Sequence, residues 1–176
     1  MALESAQLVE LLGLRPHPEG GFYAETFRSL TRLSGVPTPN QARAASTAIY
    51  YLLPAGSFSA LHRVASDEVW HHYAGAPLEL HTIDPSGLHS TTRLGRDLLA
   101  GERPQGVVSA GTWQAAVPVG DGWSLLGCTV APGFDFRDFE LPDREELLEK
   151  FPLLRDVVLR LTHEQPARDT IKIALD

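Results

Sequence analysis

The sequence predicts an all-β chain, an antiparallel barrel or sandwich with one helix ahead of the strands and two short helices behind them. Two observations predict it. Short segments rich in aromatic and β-branched residues recur along the middle of the chain, broken by Gly, Pro, Asn and Asp turn signals. Apolar residues at helical spacing occur only at the two ends. With 176 residues, the expectation is one domain over 1–176, large enough to bury a core without staples.

Leu8, Leu11 and Leu12 recur three and four apart, a short amphipathic helix for which Ser5 is the expected N-cap. Pro16, Pro18, Gly20 and Gly21 break it and turn the chain into a strand. Strands are expected at 22–28, 46–53, 57–62, 68–73, 78–83, 88–94, 107–108, 112–117 and 123–130. Asp84-Pro85-Ser86-Gly87 and Gly120-Asp121-Gly122 read as hairpin turns. Asp143 with Glu146 resembles a capping box. Leu147, Leu148 and Phe151 then share a helical face, Pro152 interrupts, and Leu154, Val157, Val158 and Leu161 resume it.

Composition excludes several roles. Fifteen Lys and Arg against 22 Asp and Glu leave a net charge of −7, unsuited to nucleic-acid backbones. The longest apolar run, near 48–53, ends at Pro54, far short of the roughly 20 residues of a membrane span. The first residues carry Glu4 and Glu10 and no base before Arg15, so no export signal is expected. Cys128 is the lone cysteine, so no intrachain disulfide can form, and the expected compartment is the cytoplasm.

The densest chemistry lies at 56–75, where Gly56, His62, Val64, Glu68 and Gly75 follow the spacing Gly-x5-His-x-Val-x3-Glu-x6-Gly. That spacing resembles the first motif of the cupin superfamily, and Ser109-Ala-Gly111-Thr-Trp-Gln114 stands where the second motif falls. HPEGGFYAETFRS at 17–29, STAIYYLL at 46–53, the stretch 62–83, GTWQAA at 111–116 and GCTVAPGFDFRDFEL at 127–141 resemble one branch, the cupin-5 family. The resemblance implies a cupin-type jelly-roll barrel, commonly a homodimer, with an interior pocket.

In cupins at large, three imidazoles and a carboxylate from these motifs hold iron, manganese or zinc. Here Val64 and Gln114 replace two of the imidazoles, so the implied metal set shrinks to His62, Glu68 and Gln114. Transition metals favour imidazole over a neutral amide, so no resident cofactor is expected, with a divalent transition metal as the alternative. His72 shares a strand face with Glu68 and Trp70, but four residues of strand put it roughly 13 Å from Glu68.

His62 and Glu68 are also acid–base candidates, because burial and mutual charge shift such a pair. Metal-free sugar-nucleotide epimerases of the superfamily pair a His base with a Tyr acid. His62 would be that base, and Tyr23, Tyr51 or Tyr73 the acid. Trp70, His72, Gln114, Tyr51 and Tyr23 are the ligand-binding candidates, with core packing the competing role for Trp70 and Trp113. In a regular strand Tyr23 and Glu25 share one face and Arg28 takes the other. Cys128 reads as a buried small residue. The aromatic segment 134–139 fits either a barrel mouth or a subunit contact. His17, His81, His89 and His163 show no partner pattern and read as surface or structural, and Arg155 and Arg160 as a solvated helix face.

The function expected is recognition of a small polar molecule, carbohydrate-like or nucleotide-linked, inside the barrel. It takes one of three forms: a metal-independent isomerase or epimerase, a metal-dependent dioxygenase or lyase, or a ligand sensor. A homodimer is the expected assembly, and neither nucleic acid nor membrane is an expected partner.

Overall fold

A computed structural model describes residues 3–35 and 42–164. Helix α1 (Ser5–Leu12) opens the chain and ends at Gly13, whose φ of 61° closes the helix in the left-handed region. Glu4, not Ser5, caps it. The Glu4 side chain takes the N–H of Gln7, whose side chain returns to the Glu4 amide, so Ser5 becomes the first helical residue.

The strands are β1 (Arg15–Pro16), β2 (Phe22–Arg28), β3 (Arg32–Leu33), β4 (Arg43–Ala44), β5 (Thr47–Leu53), β6 (Ser59–His62), β7 (Asp67–Gly75), β8 (Leu78–Ile83), β9 (His89–Leu94), β10 (Gln105–Val108), β11 (Trp113–Pro118) and β12 (Ser124–Ala131). Helices α2 (Arg144–Lys150) and α3 (Arg155–Arg160) follow, separated at Pro152 as the sequence predicts. The nine expected strands are present; β1, β3 and β4 are additional, each too short at two residues to show a period.

A six-stranded sheet runs β1-β2-β5-β12-β7-β10, a four-stranded sheet β6-β11-β8-β9, and the neighbouring strands within each pair antiparallel. The two sheets do not close into one continuous barrel. The turn at 84–87 joins β8 to β9 as a hairpin, with Asp84 Oδ1 taking the amides of Ser86 and Leu88. The turn at 120–122 does not make a hairpin. It carries the chain from β11 in one sheet to β12 in the other, because turn residues encode a reversal and not the partner.

The main core lies between the sheets. Tyr51, Trp70 and Leu126 from the larger meet Leu78, Leu80 and Ala116 from the smaller. Successive residues of a strand face opposite sides, so Trp113 and Ala115 of β11 point outward, beneath Leu147 of α2 and Val158 and Leu161 beyond it. This outer layer makes His81, read from sequence as surface or structural, a structural residue, while Arg160 stays on the exposed helix face. Buried His81 receives the Arg160 guanidinium at Nε2 (3.0 Å) and faces His89 at Nδ1 (3.1 Å). Burial, with Arg160 and His89 beside it, pulls its pKa down to about 4. Among the described residues no helix is long and apolar enough to cross a membrane.

Candidate functional site

Between the sheets, beside the core, opens a cavity of about 460 Å³. Its floor comprises His62, Glu68 and Cys128; its walls take in His17, Glu19 and Tyr23; its mouth is framed by Arg15, Arg28 and the aromatic segment 134–139.

The segment between β1 and β2 supplies the residues that sequence reasoning missed. Gly20 and Gly21 adopt φ of 117° and 65°, in the left-handed half of the map that glycine tolerates. The loop lies tightly on its neighbours, with the Ala60 amide donating to the Glu19 carbonyl (2.8 Å). It turns the Glu19 carboxylate inward, where Ser59 Oγ donates to Oε1 (2.9 Å) and Oε2 lies 3.3 Å from His62 Nε2 and 3.4 Å from His17 Nδ1. Burial pushes the Glu19 carboxyl up. His62, His17 and the hydroxyls of Tyr51 and Ser59 outweigh it and hold the group below its usual range, hence ionised.

His62 ends β6 and is fully enclosed. Its Nδ1 lies 2.8 Å from the Ala60 carbonyl oxygen, which can only accept, so Nδ1 carries a proton. Nε2 then faces the Glu19 carboxylate across 3.3 Å.

Glu68 extends from β7 on the same face as Trp70 and His72, as the alternation predicts. The Gln114 amide links Trp70 to Glu68. The indole N–H of Trp70 only donates, so it fixes Gln114 Oε1 on its side (2.9 Å) and directs Nε2 to Glu68 Oε2 (2.5 Å). Burial raises the Glu68 pKa above the ordinary value, against the attraction of His62. The Cys128 thiol beside it is driven well up by burial and that carboxylate, the behaviour of an inert packing residue. Trp70→Phe would leave the fully buried Gln114 oxygen without its donor. A loss of about 1–3 kcal/mol in urea unfolding is expected from that unpaired acceptor, with a further cost for the indole atoms removed from the core.

The other sequence candidates lie away from the cavity. Tyr51 is in the core with its hydroxyl on the Gly20 carbonyl oxygen (2.8 Å). His72 donates from Nε2 to the Ala76 carbonyl (2.8 Å). Trp113 packs under Phe151 on the outer face, and Tyr73 is half exposed. Tyr23 does line the cavity, beneath the Arg15 guanidinium, which sits 4.9 Å from its ring centre.

Arg28 departs from the regular-strand expectation. The β2–β5 register shifts between Glu25 and Phe27, so Thr26 is an extra, bulged residue. Arg28 therefore turns to the side of Tyr23 and Glu25 and joins the cavity lining. It grips Glu25 through Nε and Nη2 and donates from Nη1 to the Phe134 carbonyl (3.2 Å). Arg43, buried, holds the same strap through Asp135 (2.5 Å) and Asp138 (2.6 Å). Phe136 and Phe139 thereby stand over His17 and His62, with ring centres 6.0 and 5.5 Å away.

The donor set does not fit the metal that the motif resemblance implies. Val64 lines the cavity with an alkyl group, and Gln114 commits its oxygen to Trp70 and its nitrogen to Glu68. Among the described residues no three His, Cys, Asp or Glu side chains are arranged to hold an ion.

The profile of a family described as "Cupin superfamily (DUF985)" matches residues 6–142. A solved protein from Shewanella oneidensis superposes with a TM-score of 0.85 at 40% identity, covering 93% of this chain and 100% of its own. A hypothetical protein from Leishmania major has the same TM-score at 34% identity, covering 92% and 100%. An uncharacterized protein of Saccharomyces cerevisiae is 28% identical over 155 residues, 81% of this chain and 77% of that one.

Proposed function

The chain belongs to the Cupin_5 family of the cupin superfamily, and from that premise we propose that its cavity binds a small polar, carbohydrate-like molecule and moves a proton on it without a metal, as an isomerase or epimerase does. One observation carries the reading: Glu19 Oε2 stands 3.3 Å from His62 Nε2 while the Ala60 carbonyl anchors the other ring nitrogen. A buried carboxylate–imidazole pair of this kind is a proton acceptor held in fixed geometry. Glu19 and Glu68 are also driven in opposite directions, one toward the anion and one toward the neutral acid, as in sites where two carboxyl groups divide base and acid duties. Tyr23 is the tyrosine in reach of a ligand, since Tyr51 is committed elsewhere. The aromatic strap suits the apolar face of a sugar ring.

Aldoses, ketoses, sugar phosphates and nucleoside-diphosphate sugars, incubated with the protein in heavy water and followed by NMR, test this. Deuterium should enter one C–H position of one compound class. His62→Ala should slow that exchange at least about 100-fold, and a chelator should leave it unchanged. Exchange that a chelator abolishes and one added metal restores would overturn the reading. So would a compound that binds tightly and is never exchanged, the behaviour of a sensor.

A further inference from the structure

We propose that the outer part of the cavity is a subsite for an oxyanion: a carboxylate or phosphate group on the ligand is held between the Arg15 guanidinium and the Nε2–H of His17. The inference deepens the reading of this cavity as a ligand site and rests on that reading, but it does not depend on proton transfer there.

The first support is a charge without a counter-charge. Arg15 and Arg28 bring guanidinium groups to the cavity lining. Arg28 is engaged by Glu25 and by the Phe134 carbonyl. Arg15 has no hydrogen bond or ion pair with any described residue and lies instead over the Tyr23 ring. The carboxylates that could have answered it are taken. Glu25 belongs to Arg28, Asp135 to Arg43 and Arg137, and Glu19 to Ser59 and the imidazoles beside it. A guanidinium is always charged and presents a fork of donors that matches a carboxylate or phosphate. At the lip of a cavity it is open to an anion that arrives with the ligand.

The second support is the tautomer of His17. Its Nδ1 accepts the Glu19 amide N–H (3.4 Å), while the Glu19 carboxylate stands equally far off at an ion-pair distance. A ring nitrogen that accepts is bare, so the neutral imidazole carries its proton on Nε2. Burial lowers the His17 pKa, with Glu19 pulling the other way and His62 and Arg15 adding to the lowering, which keeps the ring neutral at neutral pH. Nε2 has no hydrogen-bond partner among the described residues and is not among the buried atoms left unsatisfied, so this N–H opens into the cavity.

The two donors are held before any ligand arrives. The Arg15 guanidinium lies 4.9 Å from the centre of the Tyr23 ring and His17 meets the same ring edge-on at 4.7 Å. Arg15 is fixed opposite Tyr23 by the pairing of β1 with β2, and Pro16 and Pro18 restrict the backbone on either side of His17. Tyr51, Phe139 and Phe136 close on the imidazole at 5.9, 5.8 and 6.0 Å. Little side-chain freedom is lost on binding. An anion is unwelcome deeper in, where Glu19 is ionised and Glu68 lies on the floor. The uncharged part of the ligand therefore turns inward, toward His62 and Glu68. The ligand class narrows to a sugar acid or a sugar phosphate, as opposed to a neutral sugar.

Nitrogen-15 NMR and titration calorimetry of the full chain test this. His17, identified by the signals that vanish in His17→Gln, should show a bare Nδ1 and a proton-bearing Nε2. Inorganic phosphate, glucuronate and a hexose phosphate are then titrated beside glucose. At least one anion should bind at least about 10-fold more tightly than glucose, move the His17 Nε2–H signal and weaken as salt is added. The carboxylate and phosphate probes separate the two sources of charge. Arg15 is exposed, so Arg15→Gln should fold normally; it should weaken that anion at least about 10-fold and leave glucose unchanged. A bare Nε2 on His17, anions that bind no better than glucose, or an unaltered anion Kd in Arg15→Gln overturns the inference. Anion binding with no heavy-water exchange in any compound leaves the subsite standing and removes the proton-transfer reading, and exchange confined to neutral sugars does the reverse.

Discussion

Gly20→Ala is expected to lower stability by about 2–4 kcal/mol and to dismantle the cavity wall, although it adds a single methyl group. An added Cβ would lie 2.2 Å from the Phe58 carbonyl oxygen, a backbone atom with no side-chain freedom to retreat, at a φ of 117° that L-residues rarely adopt. The loop would have to lift from β6. The adjacent Glu19 carbonyl would then lose the Ala60 amide, and the Glu19 carboxylate would leave His62. Calorimetry should read a fall in Tm of about 4–16 °C, at roughly 2–4 °C per kcal/mol for a chain of this size. Gly13→Ala is the control. It too has a positive φ, 61°, but nothing lies within 4 Å of its Cβ, so only the backbone strain of about 1–2 kcal/mol should appear. Equal losses at both positions would show that the close approach to β6 is unimportant.

Glu19→Gln should remove heavy-water exchange and cost about 2–3 kcal/mol at neutral pH, because two buried imidazoles lose the negative charge beside them. Its pH dependence carries a sign that can be checked. The folded-state pKa of Glu19 lies below the ordinary value, so the group stabilises the fold above the ordinary glutamate range and that contribution disappears as pH falls through the lowered value. The acid limb of the stability curve should therefore flatten in Glu19→Gln. Glu68 behaves oppositely. Its pKa is raised, so the fold is favoured at acid pH and burdened as pH climbs past the ordinary value through the raised one. Glu68→Gln should gain stability at neutral pH and little at acid pH. Urea unfolding across pH reads both, and curves shifting the same way would contradict the opposed environments of the two carboxyl groups.

Strand content and facing were legible where strands are long and regular. Nine segments rich in aromatic and β-branched residues between turn signals became strands, and the shared face of Glu68, Trp70 and His72 on β7 follows from the period of two. Spacing also drew attention to His62 and Glu68, both in the cavity lining. What escaped detection sits where period gives no information. Glu19 and His17 belong to a connection whose side-chain directions depend on two left-handed glycines, and their partners are some forty residues away in sequence. The Gly-Gly pair after His-Pro-Glu was the available signal, since paired glycines mark a loop pressed against other backbone. The contact between His81 and Arg160 escaped notice because neither strand nor helix pattern reveals which element covers which.

The bulge in β2 decides which residues can be lost from it. Beyond Glu25, inside and outside alternate from Thr26 onward rather than from the start of the strand, and Arg28 stays directed at Phe134 only because one residue goes uncounted by the ladder. Deleting Thr26 would leave an unbroken ladder with Phe27 still outward and Arg28 still inward. Deleting Ala24 would turn the residues on one side of the gap over. The strand is thus tolerant of shortening at a single position.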